Sequence, residues 1–144
     1  MAGYVRTIDI AATPDAVWSV LGDVEKWPQW TPSILKVERL EQGSFAIGST
    51  ARVKAKGFPE APLTVTELTP GRSFTWEGKS AGLRTVMSHT IEPVSGGSRV
   101  TLSVIPAGPL AMLVGWYMAR AAKPNVDTEA ESLKRHVEAG ERST

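Results

Sequence analysis

Stretches that suit a period of two recur along this chain, and a period near 3.6 takes over in two places. From Thr50 to Lys56, Ala51, Val53 and Ala55 fall on one side and Arg52, Lys54 and Lys56 on the other, the pattern of a strand with one wet face. Tyr4 to Ala11, Ile34 to Leu40, Leu63 to Leu68, Arg72 to Lys79, Leu83 to Glu92 and Arg99 to Ile105 read as strands too. The connections after Ile34 are short and carry turn residues: Gln42-Gly43-Ser44, Gly48, the two-proline loop Gly57 to Pro62, Pro70-Gly71, Ser80 to Gly82 and Ser95-Gly96-Gly97. Successive hairpins make the sheet antiparallel.

The helical period first appears after Thr13-Pro14-Asp15, which supplies a capping hydroxyl, a proline at the first helical position and an early carboxylate at the positive end of the dipole. Val17, Trp18 and Leu21 then share a face, and Gly22-Asp23 ends the helix. Val24 to Trp30 adds one short turn, because Pro28 and Pro32 do not fit a long helix. The second helical stretch, Pro106 to about Gly140, reads as one broken helix. In its first half, Pro109 to Ala122, the spacing gives two apolar stripes: Leu110, Leu113, Val114, Tyr117 and Ala121 on the expected inner face, and Met112, Trp116 and Ala119 opposite. The second half, Asn125 to Ala139, is amphipathic, with Val126, Ala130, Leu133 and Val137 between charged residues. A helix that is apolar on two sides must be covered on both, or face something other than protein. The expected class is therefore α+β: a seven-stranded antiparallel sheet curved around a long C-terminal helix, two short helices after the first strand, and a cavity between sheet and helix.

Composition narrows the picture. The 144 residues make a single domain, with Glu141 to Thr144 frayed. A net charge of +1 with scattered basic residues gives no electrostatic footprint for nucleic acid. The absence of cysteine removes disulfides, thiol catalysis and zinc-thiolate sites, and fits a cytoplasmic protein. The apolar run Ala107 to Ala119 falls short of the roughly 20 residues a bilayer span needs, so no stable membrane insertion is expected. Dinucleotide, phosphate-loop, zinc-protease and nucleophile-elbow motifs are absent, and no cofactor or metal is implied.

A resemblance joins this reading at Ile8 to Lys54. The segment IDIAATPDAVWSVLGDVEKWPQWTPSILKVERLEQGSFAIGSTARVK resembles the opening of the START-like superfamily, in its bacterial polyketide cyclase/dehydrase-like branch. The later FTWEG, SHTIEPVSGGSRVTLSV and ESLKRHVEAG resemble the same branch in the same order. The resemblance implies a helix-grip architecture and a cavity for sterols, fatty acids, polyketides or other hydrophobic molecules. It does not choose among them, because one fold hosts many chemistries.

The expected lining is Val53, Leu63, Val65, Phe74, Trp76, Thr85, Met87, His89 and Leu102 from the strands, with Leu113 and Tyr117 from the helix. His89 is the most informative polar residue, sharing a face with Thr85, Met87 and Ile91. It reads either as a neutral core histidine or as a pocket group that orients a ligand oxygen or acts as general base. Glu92 is on the wrong face of that strand, so no carboxylate partners His89 by strand parity, which weighs against catalysis. Tyr117 is the expected helper in a catalytic reading, and otherwise core. Trp18, Trp27 and Trp30 read as packing over the sheet, with ligand contact by Trp27 or Trp30 as the alternative; Arg52 and Arg84 read as outward and solvated, or as a cavity-mouth partner for a carboxylate headgroup, and Glu77 and His136 point outward. Met112 and Trp116 suit core, a portal or a homodimer contact. The leading expectation is a protein that binds a hydrophobic, partly oxygenated small molecule. The alternatives are a cyclase or dehydratase using His89, and a regulatory or toxin-like protein with a protein partner.

Overall fold

The structure, a computed structural model, describes residues 3–80 and 82–142. Position 81 of the expected Ser80–Gly82 turn, and positions 143–144 of the expected frayed end, lie outside the described residues. The first strand, β1 (Tyr4–Ile10), leads into α1 (Pro14–Leu21) and a 3₁₀ turn at Val24–Gln29. Six strands follow: β2 (Ile34–Arg39), β3 (Thr50–Ala55), β4 (Ala61–Thr69), β5 (Ser73–Ser80), β6 (Leu83–Val94) and β7 (Gly97–Ala107). The chain then enters α2 (Ala111–Arg142). Thr13 caps α1 as its residue type requires, its hydroxyl accepting from the Ala16 N–H at 3.2 Å.

The strands form one antiparallel sheet in the order β1-β7-β6-β5-β4-β3-β2. Register irregularities in β2 between Ile34 and Lys36, and in β4 between Val65 and Glu67, bend the strands where the sheet has to curl. At the opposite end β1 and β7 approach so closely that a Cβ on Gly97 would overlap the Ile10 carbonyl. Only glycine fits there.

The C-terminal helix departs from the sequence expectation in three ways. Pro106 belongs to β7, paired with Thr85, so the helix begins later, at Ala111. Pro124 is accommodated inside one continuous helix instead of breaking it. The helix is also rotated from the expected stripe. Its buried line runs through Gly115, Ala119, Ala122, Val126, Ala130, Leu133 and Val137. Leu113 and Tyr117 lie on the outer side, 70% and 65% exposed, as do Met112 and Trp116. Small residues win the inner face because the helix lies close on β7: a Cβ on Gly115 would come within 2.9 Å of the Pro106 ring.

Helix α2 packs on β1 and β7 and only grazes β6. Tyr4 and Arg6 of β1 and Lys123 of α2 converge on Asp127 and pin the helix to that edge. Burial alone would raise the Asp127 carboxyl, but those three hydrogen bonds outweigh it and hold it down to about 2. Beside α1 and the 3₁₀ turn an aromatic cluster fills the grip. Trp27 sits within 6.2 Å of Trp30, Phe74, Trp76 and His89 by ring centroids, and its indole N–H donates to the Leu21 carbonyl at 3.0 Å. The other half of the grip is not filled.

Candidate functional site

That unfilled half is a cavity of about 340 Å³ between α2 and strands β2 to β7. Val53 and Ala55 of β3, Ala61 and Leu63 of β4, Trp76 and Gly78 of β5, Thr85 and Met87 of β6, and Leu102 and Val104 of β7 supply the sheet wall. Met118, Ala122, Asn125, Val126 and Glu129 supply the helix wall. Phe58 and Pro59 close one end, on a loop tied to α2 by the Asn125 amide, which donates to the Lys56 carbonyl at 2.8 Å. The Lys54 ammonium staples the same loop through the carbonyls of Ala55 and Phe58. Pro59 and Lys79 are exposed and mark the rim.

Of the residues expected to line a cavity, Val53, Leu63, Trp76, Thr85, Met87, His89 and Leu102 do. Val65 and Phe74 are fully buried but lie in the aromatic half, Phe74 behind the ring of His89. Leu113 and Tyr117 stand outside the cavity on the exposed face of α2, which removes Tyr117 as a neighbour of His89.

His89 is held by three rings and one carbonyl. Its imidazole stacks on Phe74 at 4.2 Å and 11°, with Trp27 and Trp76 at its edges. Nδ1 lies 3.2 Å from the carbonyl of Phe74, its pairing partner on β5. A carbonyl only accepts, so the neutral ring carries its proton on Nδ1 and presents a bare lone pair at Nε2. Burial pushes the His89 pKa down to about 4, against a small opposing contribution from the Phe74 carbonyl.

Facing Nε2 at 3.7 Å is Oε2 of Glu129, a carboxyl the sequence reading did not pair with His89. Its side chain keeps 12% exposure, and it borders the cavity. Burial pushes its pKa up to about 8. Opposite charges at 3.7 Å would attract, but two ions in this apolar setting would lose more in hydration than they regain without further hydrogen bonds. Among the described residues neither Nε2 nor the Glu129 carboxyl makes a hydrogen bond to the protein. The pair is therefore neutral at pH 7: an acceptor and a protonated acid, side by side and open to the cavity. A signal for Glu129 was present in the sequence. It lies three residues after Val126 and four before Leu133, so a carboxylate interrupts the buried stripe of α2.

A seven-stranded antiparallel sheet curled around a C-terminal helix over an apolar cavity is the START-like helix-grip architecture. Residues 1–138 match the family described as polyketide cyclase / dehydrase and lipid transport, and the chain belongs to that family. Among solved structures, a START superfamily protein from Mycobacterium smegmatis superposes with a TM-score of 0.77 at 17% identity, covering 96% of this chain and 99% of that one. The di-domain ARO/CYC BexL from the BE-7585A biosynthetic pathway gives 0.72 at 22% identity, over 96% of this chain and 47% of BexL. An uncharacterized protein of Mycobacterium tuberculosis is 27% identical over 112 residues, 74% of this chain and 67% of that protein. Among the described residues no helix is long and apolar enough to cross a membrane.

Proposed function

We propose that this protein binds one hydrophobic, partly oxygenated small molecule, lipid or polyketide-like, in the cavity between the sheet and α2. The observation that carries the reading is an apolar cavity of about 340 Å³ whose buried titratable groups are His89 and Glu129 alone among the described residues. Apolar walls supply affinity in proportion to the ligand surface they cover, and a small polar cluster fixes its orientation. The volume is at the lower end of the range for small-molecule sites, so the reading favours a compact ligand or one end of a longer one. The family description, which includes both cyclases and lipid transport, supports the same class of ligand. Native mass spectrometry of freshly purified protein, followed by titration with fatty acids, sterols and aromatic polyketides, tests it. A passenger or a dissociation constant below about 100 µM, roughly 5 to 6 kcal/mol, is expected; failure of the whole panel refutes it.

One observation favours a second reading, catalysis on the bound molecule. The base at Nε2 and the acid at Glu129 face each other across 3.7 Å, so one can take a proton while the other gives one. The family description, which names polyketide cyclase and dehydrase, supports cyclisation or dehydration as the reaction class. Turnover of a candidate substrate that falls at least 100-fold in both His89→Ala and Glu129→Gln supports this reading; unchanged turnover in either refutes it.

A further inference from the structure

Building on the reading of the cavity as a ligand site, we propose that His89 and Glu129 together select a ligand whose buried end is a hydroxyl group, in preference to a carbonyl, a carboxylate or an amine. The Nδ1 proton is committed to the Phe74 carbonyl, so Nε2 can only accept. Glu129 brings a carboxyl hydrogen to the same spot, 3.7 Å away. An oxygen at hydrogen-bonding distance from both atoms sits about 2 Å to the side of their midpoint, the separation of 3.7 Å being too long for a direct bond between them. A hydroxyl is the group that satisfies both, donating its one hydrogen to Nε2 and accepting from the Glu129 acid.

The competing end groups each leave something unmade. A carbonyl oxygen accepts from Glu129 but turns a lone pair on the Nε2 lone pair. A carboxylate meets the same repulsion and carries a charge into apolar surroundings; the lining cation, Lys79, is an exposed rim residue on β5. An ammonium would have to strip the proton from Glu129 and bury an ion pair. An unsubstituted hydrocarbon leaves both protein groups without a partner. The acid form of Glu129 is secured by its burial, which pushes its pKa up to about 8. The titratable groups bordering the cavity with it are His89 on β6, pushed down to about 4, and Lys79 at the rim of β5.

The test is a matched series on two skeletons, decyl and 2-naphthyl, each bearing hydrogen, hydroxyl, aldehyde, carboxylate or aminomethyl, titrated by calorimetry at pH 7. The alcohols are expected to bind on the order of 30-fold more tightly than the other members. Glu129→Leu, checked for folding by circular dichroism, removes the donor to the hydroxyl oxygen and cuts that preference about fivefold, leaving the part due to Nε2, while the hydrocarbon still binds. Glu129→Gln, which keeps an N–H donor, retains the preference and keeps the order of the series at pH 9, whereas in the wild type ionisation of the carboxyl brings the aminomethyl member up toward the alcohol. Binding of several members with no preference for the alcohol, or tightest binding of the carboxylate or amine, overturns the inference and leaves the cavity reading standing. An undiminished preference for the alcohol in Glu129→Leu also overturns it. If no member binds, the ligand reading falls and the inference with it.

Discussion

Moving the pH from 6.5 to 8.5 tests the protonation state of the cavity pair without any ligand. In the native protein Glu129 keeps its proton up to about 8 and His89 stays neutral down to about 4. Unfolding returns them to ordinary values of 4.5 and 6.5. The raised Glu129 value favours the native state below 4.5, an advantage lost as the pH climbs through about 8. The depressed His89 value works the other way, its contribution present above 6.5 and lost as the pH falls toward about 4. Between 4.5 and 6.5 native and unfolded pairs each hold one proton, so the effects cancel. Between 6.5 and about 8 the native pair holds one proton and the unfolded pair none. Stability then falls by about 1.4 kcal/mol per pH unit, about 2 kcal/mol in all, or about 4–8 °C in Tm. Urea denaturation followed by tryptophan fluorescence at half-unit steps, for wild type and Glu129→Gln, measures this. The variant has no carboxyl to titrate, so its curve should be flat over that window and should decline instead toward acid, from 6.5 down to about 4, through His89 alone. A wild-type minus variant difference constant within 0.5 kcal/mol from pH 6.5 to 8.5 refutes the reasoning. A charged pair would bind the same number of protons as a neutral one, so the ¹⁵N spectrum of His89 must also show one protonated and one bare ring nitrogen.

Three further outcomes follow from the packing. Ala122→Met projects a flexible side chain into the cavity from α2 and should lower affinity for any cavity ligand at least tenfold while leaving Tm unchanged or higher, read by titration and calorimetric melting. Trp27→Ala removes a 1% exposed indole from the centre of the aromatic cluster and leaves the Leu21 carbonyl without its donor; a loss of about 4 kcal/mol is expected in urea, and a loss below 1.5 would contradict the packing described. Asp127→Asn removes the charge that Arg6 and Lys123 share; with solvent screening the cost is about 1 kcal/mol at pH 6, and the gap to wild type should close as the pH falls from about 4 to about 2, because a depressed carboxylate stabilises only above its ordinary range.

Much of the fold could be read from the sequence because most strands here have one wet face. The alternation of Ala51, Val53 and Ala55 with lysine and arginine fixes β3, and the parity of Thr85, Met87, His89 and Ile91 places His89 on the inner face of β6. The rotation of α2 could not be read in the same way. Up to Arg120 its first half has no charged side to mark the outside, so large residues such as Leu113 and Tyr117 outweighed the small ones that close contact with Pro106 requires. Carrying the amphipathic second half back from Val126 through Ala122 and Ala119 to Gly115 gives the observed face, since a continuous helix keeps one phase through Pro124. Glu129 was missed for a related reason. Strand parity searches for a partner of His89 along β6, whereas the partner comes from a helix about 40 positions later, brought there only by tertiary packing.

The position of that carboxyl argues for function more strongly than the cavity does. Leucine at 129 would continue the line of Val126 and Leu133, narrow the cavity and avoid the desolvation that lifts the carboxyl to about 8. A lift from 4.5 to about 8 corresponds to several kcal/mol of native-state stability forgone at pH above that range, comparable to a sizeable fraction of what a domain of this size retains. The same holds on a smaller scale for His89: a phenyl ring there could stack on Phe74 and leave no side-chain polar atom facing the cavity, at the loss of the hydrogen bond to the Phe74 carbonyl. Both groups border the cavity with unmet hydrogen-bonding atoms 3.7 Å apart, whereas in the aromatic half the Trp30 indole N–H is a single buried donor with no partner among the described residues. Two polar groups on different elements facing one apolar space break the rules of core packing together, and a ligand oxygen between them, as proposed, would satisfy both.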